Sequence, residues 1–323
     1  MKKALISILL FSFLAHAGIQ YEGVFSENFV IRWAFQDLCD HYFDPRQVWP
    51  TPTKGKAVSF DAADVKPGDL IFVRDVDFFF KHKHEKIKVP YFMLTHGEYL
   101  DKFEKRYVKY LNDGKILAWF TIHPCGVTHE RIIPIPLGMV QYKELYDAKE
   151  KTAKRLSDLR KKDKKKLIYM NFTEWRMPFR TKIRKYFETQ PYCTKGERCR
   201  FDQFIHELAQ HKFSVSPPGL GPDCYRVWES LLVGTIPVIE HSVMDEMYEG
   251  LPVLFIEGNN WESVTEDFLH NAYERMSAQT YPQEKLSMEY WVKIIDQVRM
   301  TYWPSPAPLY KPLLNRFDSH TKG

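Results

Sequence analysis

The sequence predicts the α/β class, with parallel strands arranged in two units. The central observation is residues 212–240, KFSVSPPGLGPDCYRVWESLLVGTIPVIE. An apolar run at 213–216 reads as a buried strand, and a turn of Pro217, Pro218, Gly219, Gly221 and Pro222 follows it. Residues 224–233 then have helical spacing, with Val227, Trp228, Leu231 and Leu232 apolar. Asp223 stands where an N-cap belongs, Gly234 where a helix stops, and 235–239 read as a second buried strand. Strand, glycine turn, helix and strand make a βαβ unit. The second observation is that apolar runs in the first half also alternate with helix-patterned stretches, as a parallel sheet requires. The third is length: 323 residues make two domains a fair expectation, with one large domain also allowed.

Taken in order, the chain opens on a targeting segment. Lys2 and Lys3 form a basic start, residues 4–14 are apolar, and Ala15-His16-Ala17 is a cleavage site of the A-x-A type. A signal peptide is therefore expected at 1–17, with Gly18 as the mature start and export to a secretory lumen, periplasm or exterior. The apolar run falls short of the roughly 20 residues a bilayer span needs. Membrane attachment is expected only if this segment stays uncleaved. The remaining composition suits a folded protein. Hydrophobic residues make up 44% of the chain and aromatic residues 15%, enough for real cores and against disorder. The net charge of +5 is too small to argue for nucleic acid, which needs a concentrated basic face.

Export makes the five cysteines informative: Cys39, Cys125, Cys193, Cys199 and Cys224. An odd number leaves one thiol over. Cys193 and Cys199 bracket a polar loop and suggest a local disulfide, and Cys224 is the candidate free thiol. No cysteine or histidine pair stands at zinc spacing, so no metal is expected.

In the first half, 29–39 reads as a helix and 45–56 as loop. Strands are expected at 69–73, 89–94, 115–121 and 131–136, with an amphipathic helix at 101–111. Phe78, Phe79 and Phe80 read as core or domain interface. Lys81-His82-Lys83-His84 reads as a solvated basic loop rather than a metal site. In parallel sheets functional groups collect beyond the carboxyl ends of strands. That rule selects Asp75, Asp77, His96, Glu98 and His123. As bases for deprotonating a hydroxyl, His96 and Glu98 come first and Asp75 next.

Residues 141–166 form a crossover ending in RKKDKKK, a run that reads as a solvated helix end or linker. A strand at 167–170 follows, then a loop with Asn171 and Arg176, then a helix from Pro178 bearing Arg180 and Arg184. Asn171-Phe172-Thr173 is a glycosylation sequon, expected to stay unmodified inside a cleft. Further helices are expected at 201–210, 261–276 and 287–303, and a strand at 251–256.

The chemistry concentrates on the 224–233 helix. Asp223, Arg226 and Glu229 recur every three residues and share one face. A helix N-terminus suits phosphate, Arg226 offers a planar donor fork, and Glu229 can accept from ribose hydroxyls. Together they suit a nucleoside diphosphate; the plain alternative is a glycine-capped helix with a surface Arg–Glu pair.

The run Ser216-Pro-Pro-Gly219, Asp223-Cys-Tyr-Arg-Val-Trp-Glu229 and Gly234-Thr-Ile-Pro-Val-Ile239 resembles the C-terminal signature of exostosin-type glycosyltransferases. The match covers about thirty residues of the chain and is loose elsewhere. The resemblance implies the GT-B fold, in which two Rossmann-like domains face each other across a cleft. It divides the chain into an acceptor domain (18–145), a basic linker (146–166), a nucleotide-sugar domain (167–290) and a final helix and tail (291–323) returning to the first domain. It further implies an inverting transfer from a sugar nucleotide, UDP-linked, to a glycan acceptor, with no metal required. Asp75-Val76-Asp77 has the spacing of a metal-binding DxD motif but falls in the acceptor domain. Expected donor contacts are Asn171, Arg176, Arg180, Ser216, Gly219, Gly221, Asp223, Tyr225, Arg226 and Glu229. Two rivals stay open: an inactive relative that only binds nucleotide or glycan, and a Rossmann oxidoreductase, against which the absence of a G-x-G-x-x-G turn in the first βα unit counts.

Overall fold

The computed structural model describes residues 18–45, 59–97, 104–124, 126–142, 145, 147–174 and 177–304. The expected signal peptide, Glu98, Cys125, Arg176 and the tail beyond Pro304 lie outside the described residues.

The chain begins with β1 (Gln20–Glu22), α1 (Arg32–Asp37) and β2 (His41–Phe43). It continues through β3 (Leu70–Val73), α2 (Val76–His82), β4 (Tyr91–Thr95), α3 (Val108–Asn112), β5 (Ile116–Thr121) and β6 (Ile132–Pro134). Strands β2 to β6 form one sheet in chain order, every pair parallel. Both faces are covered, so its strands are apolar throughout rather than alternating. In β3, Leu70 and Phe72 join one core while Ile71 and Val73 join the other, as the two-residue period of a strand dictates.

After the crossover helix α4 (Lys149–Arg160) come β7 (Lys166–Met170), α5 (Pro178–Glu188), β8 (Cys193–Lys195), α6 (Phe201–Leu208) and β9 (His211–Val215). Then follow α7 (Tyr225–Leu232), β10 (Ile236–Glu240), α8 (Asp245–Tyr248) and β11 (Leu254–Ile256). The second sheet is also all parallel, in the order β11-β10-β9-β7-β8. The chain closes with α9 (Glu266–Ser277), β12 (Thr280–Pro282) and α10 (Met288–Tyr302). The fold is therefore α/β with two parallel five-stranded sheets, as the sequence predicts.

The ends of the chain tie the units together. β1 pairs in parallel with β12, beside the second unit, and Tyr21 donates to the Leu231 carbonyl. α10 crosses to the first sheet, where Arg299 donates to the Gly68 carbonyl. One apolar core runs from Phe72 and Phe120 of the first sheet through Trp228 and Leu231 of α7 to Trp291 and Ile295 of α10.

The basic run at the crossover is solvated as expected at Lys161, Lys162, Asp163, Lys165 and Lys166, with Lys164 the exception. Lys164 is buried and its Nζ donates to the carbonyls of Ala209 (2.8 Å) and Val233 (2.6 Å). These two residues are the C-caps of α6 and α7. Helix C-termini leave carbonyls unpaired and partially negative, so an amine there is held by both effects. Burial still pushes the Lys164 amine down, to about 7. Arg160 likewise donates to the Leu231 and Leu232 carbonyls at the end of α7. Gly234, at φ +72°, provides the left-handed turn that ends this helix.

Two further expectations need correction. His84 is a buried core residue, bonded to Tyr91 (2.8 Å) and Asp113 (2.7 Å), not part of a solvated loop. Cys193 and Cys199 are free thiols, with no disulfide between them. Cys193 packs against the core behind the second sheet, while Cys199 lines a cavity at its carboxyl end.

Candidate functional site

The order of the second sheet reverses between β7 and β9. β7 continues outward to β8, whereas β9 continues the other way to β10. The loops leaving β7 and β9 therefore separate, and a crevice opens beyond their carboxyl ends. A cavity of about 900 Å³ occupies this place, within the usual range for small-ligand sites. Its walls come from the loop after β7 (Asn171, Phe172), the loop after β8 (Glu197, Arg198), the first turns of α7 (Tyr225, Arg226, Glu229) and the exit segment of the first unit (Val140, Tyr142). A neighbouring apolar cavity shares the Val140 and Tyr142 wall but offers only about 20 Å³, room for one water.

Arg226 is the available cation of this wall. Its side chain makes no hydrogen bond or salt bridge among the described residues, and its Nε is buried without a partner. Its guanidinium stands 5.9 Å from the Phe172 ring centroid, a cation–π contact that orients it without using its N–H groups. Arg198 is an exposed residue of the same wall. By contrast, Arg184 pairs with Glu174 at 2.5 Å and Lys195 with Glu188 at 2.8 Å.

The expected donor contacts divide into two groups. Asn171, Arg180, Tyr225, Arg226 and Glu229 line the cavity; Ser216, Gly219, Gly221 and Asp223 do not. Arg180 lines it with three of its five N–H donors used: Nε, Nη1 and Nη2 donate to the carbonyls of Pro218 (2.9 Å), Thr173 (2.9 Å) and Pro217 (3.1 Å). It fastens the proline turn to the loop after β7. The Asn171 amide donates to Tyr169 Oη (3.0 Å) and the Glu197 carbonyl (3.1 Å).

Asp223 is corrected on two counts. The N-cap of α7 is Cys224, and the Asp223 carboxylate is buried with a full set of donors. It accepts from Leu137 N–H (2.7 Å), Trp228 Nε1 (2.8 Å) and Tyr248 Oη (2.6 Å). Burial raises its pKa to about 6, against the pull of those bonds. Glu229, also buried, accepts from Val140 N–H at 3.3 Å, and burial raises it to about 7 with Arg226 pulling it back. Ser216 is buried in a hydroxyl chain, with its Oγ 3.1 Å from Ser214. Gly219 closes the turn by donating to the Gly221 carbonyl at 2.9 Å. Gly221 is required by close approach, since a Cβ there would collide with the His123 imidazole beyond β5. The carboxyl ends of the two sheets thus meet at the glycine turn.

In the first unit, Asp75 is a helix cap. It lies in the left-handed region at φ 67° and its Oδ1 accepts from Phe78 N–H at 3.3 Å. His96 is fully buried, and its Nε2 lies 3.0 Å from the Pro136 carbonyl. A carbonyl only accepts, so Nε2 bears the proton and Nδ1 is the basic nitrogen. Nδ1 has no hydrogen-bond partner among the described residues. Burial, with Arg32, His123 and Arg74 nearby, holds the imidazole well below its ordinary pKa, so it is neutral. Neither Asp75 nor His96 lines the cavity.

The sequence reading missed Phe172, Arg198, Val140 and Tyr142 as wall residues. Arg198 was findable by the strand-end rule once β8 was recognised, but three residues without an apolar run give no period.

No protein-family model matches the chain, and no curated protein does. Its fold is similar to that of a chain in a crystal structure of the GtfA/B complex, with a TM-score of 0.37 and 10% sequence identity over 73% of this chain and 58% of that one. The chain thus spans less than two thirds of that protein's length, and the likeness bears on no residue of the cavity.

Proposed function

We propose that this chain is a glycosyltransferase that moves a sugar from a UDP-linked donor to a hydroxyl of a glycan or glycoprotein. The supporting observation is the cavity at the strand reversal with Arg226, whose donors are uncommitted among the described residues. The resemblance of residues 216–239 to the exostosin signature points the same way. In this reading Arg226 and Arg198 stabilise the departing diphosphate, a charge that grows as the glycosidic bond breaks and is best met by preorganised donors. These cations supply the charge neutralisation, so the proposed reaction needs no divalent metal. A base of the first unit, for which the sequence offers His96, Glu98 and Asp75, takes the acceptor proton, and attack opposite the leaving diphosphate inverts the anomeric carbon. Export by a signal at 1–17 fits this reading only in a secretory lumen to which transporters bring sugar nucleotides; a periplasm, where they are scarce, does not fit easily.

A second reading is a nucleotide- or glycan-binding protein without turnover. The complete burial of His96 and the capping role of Asp75 favour it. Calorimetric titration with UDP, GDP and NAD, together with a hydrolysis screen of UDP-sugars, separates the readings. UDP is expected to bind, and Arg226→Ala to weaken it by about tenfold or more, the worth of a lost charge-assisted hydrogen bond. Stabilisation by NAD alone overturns the transferase reading. UDP binding with no hydrolysis of any UDP-sugar selects the second.

A further inference from the structure

Both carboxylates that flank Arg226 are used by the backbone of the other unit. Asp223 Oδ2 accepts from Leu137 N–H at 2.7 Å and Glu229 Oε1 from Val140 N–H at 3.3 Å. The donors belong to the segment that leaves β6, the last strand of the first sheet. Between the two anchor points the segment turns at Gly138, where φ is +74° and a Cβ would collide with the Val30 carbonyl. Asp223 is in turn fixed by Trp228 of its own helix and Tyr248 of α8. Beyond the second anchor, Val140 and Tyr142 form the cavity wall that the first unit contributes.

We propose that Asp223 and Glu229 are positioning residues that clamp the 137–140 segment to the Arg226 helix and so hold the first unit's wall of the cavity in place. Neither carboxylate needs to touch a ligand for this. The three polar residues at the start of α7 then divide their labour: Arg226 meets the ligand, while Asp223, just before the helix, and Glu229, within it, meet the opposite domain. The clamp rests on the donor-site reading for its purpose, but its existence is measurable without any ligand.

Amide hydrogen exchange on the full chain, ligand-free, tests it directly, with UDP titration as a second arm. Glu229→Ala is expected to raise exchange at Val140 and to weaken UDP binding, each about tenfold, the scale of one buried hydrogen bond. Glu229→Gln keeps a carbonyl oxygen that accepts from Val140, and is expected to restore both to about threefold of wild type or better. Asp223→Ala is expected to raise exchange at Leu137; should that variant fail to fold, the Glu229 pair decides alone. Unchanged exchange in Glu229→Ala overturns the clamp, as does Glu229→Gln failing to restore protection. If Glu229→Gln keeps Val140 protected yet weakens UDP as much as alanine does, Glu229 is a ligand contact and the positioning role is wrong. A wild type that binds no UDP refutes the donor site, while the exchange arm still judges the clamp.

Discussion

The carboxyl ends of the two sheets present the same kinds of residue in opposite states. Beyond the first sheet, Asp75 is spent on capping α2 and His96 is packed in the interior with one nitrogen committed to Pro136. Beyond the second, Arg226 stands in a cavity of about 900 Å³ with no side-chain hydrogen bond among the described residues. The sheets differ in one topological respect that accounts for this. The first runs in chain order, whereas the second reverses between β7 and β9 and so parts its loops. A polar residue at a strand end is thus a binding group only where the topology leaves space and the neighbours leave its donors unused. Arg180 makes the point within one unit: it lines the same cavity as Arg226, yet three of its five N–H groups are held by backbone carbonyls.

The largest expected effect would break the contrast. If His96 is the base, His96→Gln should lower the transfer rate about 10²–10⁴-fold, the usual contribution of a positioned base. UDP affinity should stay unchanged, because His96 is not on the cavity wall. A single-turnover assay beside a UDP titration reads both quantities. An unaltered rate would remove His96 from the chemistry and confine it to packing.

A smaller effect sharpens the contrast between the two arginines. Arg180→Ala orphans three carbonyls around the proline turn, and is expected to cost about 2–4 kcal/mol of stability. Lysine should not rescue it, since one ammonium cannot span the fork that reaches Thr173, Pro217 and Pro218. Arg226→Ala removes no hydrogen bond within the described residues and should change stability by no more than about 0.5 kcal/mol. Urea denaturation of the two variants, side by side, checks the ordering. Equal losses would mean that Arg226 is structural too.

Much of the fold was legible because long, strongly patterned segments announce themselves. The βαβ unit around α7, the Gly234 stop and the apolar strands β3, β4 and β5 follow from period and capping alone. Strands β1, β2, β8 and β12 were not legible: each is three residues long and, unlike the equally short β6 and β11, does not stand in a longer apolar run. The site was legible in position but not in assignment. Spacing put Asp223, Arg226 and Glu229 on one face; Arg226 and Glu229 do share the cavity wall, whereas Asp223 precedes the helix and lies off it, and spacing cannot say what each meets. The backbone N–H groups of Leu137 and Val140 lie more than eighty residues away in sequence. Nor does a charge run reveal that Lys164 will be buried against two helix ends, because only tertiary packing brings Ala209 and Val233 together.

The smallest expected effect concerns pH, where the buried imidazoles of His84 and His96 and the buried carboxyl of Glu229 should act with opposite sign. Burial depresses the His84 and His96 imidazoles. A depressed histidine binds fewer protons folded than unfolded, so its stabilising contribution is complete above its unfolded pKa of about 6.5 and is lost as pH falls through the folded value. Burial raises Glu229 to about 7. A raised carboxyl binds more protons folded than unfolded, so its contribution is present below about 4.5 and is lost as pH rises toward 7. Glu229→Gln removes that titration, with Val140 still able to donate to the amide oxygen. Its stability relative to wild type should therefore climb between about pH 5 and pH 7, by at most about 3 kcal/mol. His84→Gln, conversely, should flatten the decline below pH 6.5, at some cost in its bonds to Tyr91 and Asp113. Denaturant midpoints measured from pH 4.5 to 8 resolve the two slopes. A wild-type and Glu229→Gln pair whose curves stay parallel across that range would place the Glu229 carboxylate in solvent, and with it would go the separation between a donor wall and the segment that holds it.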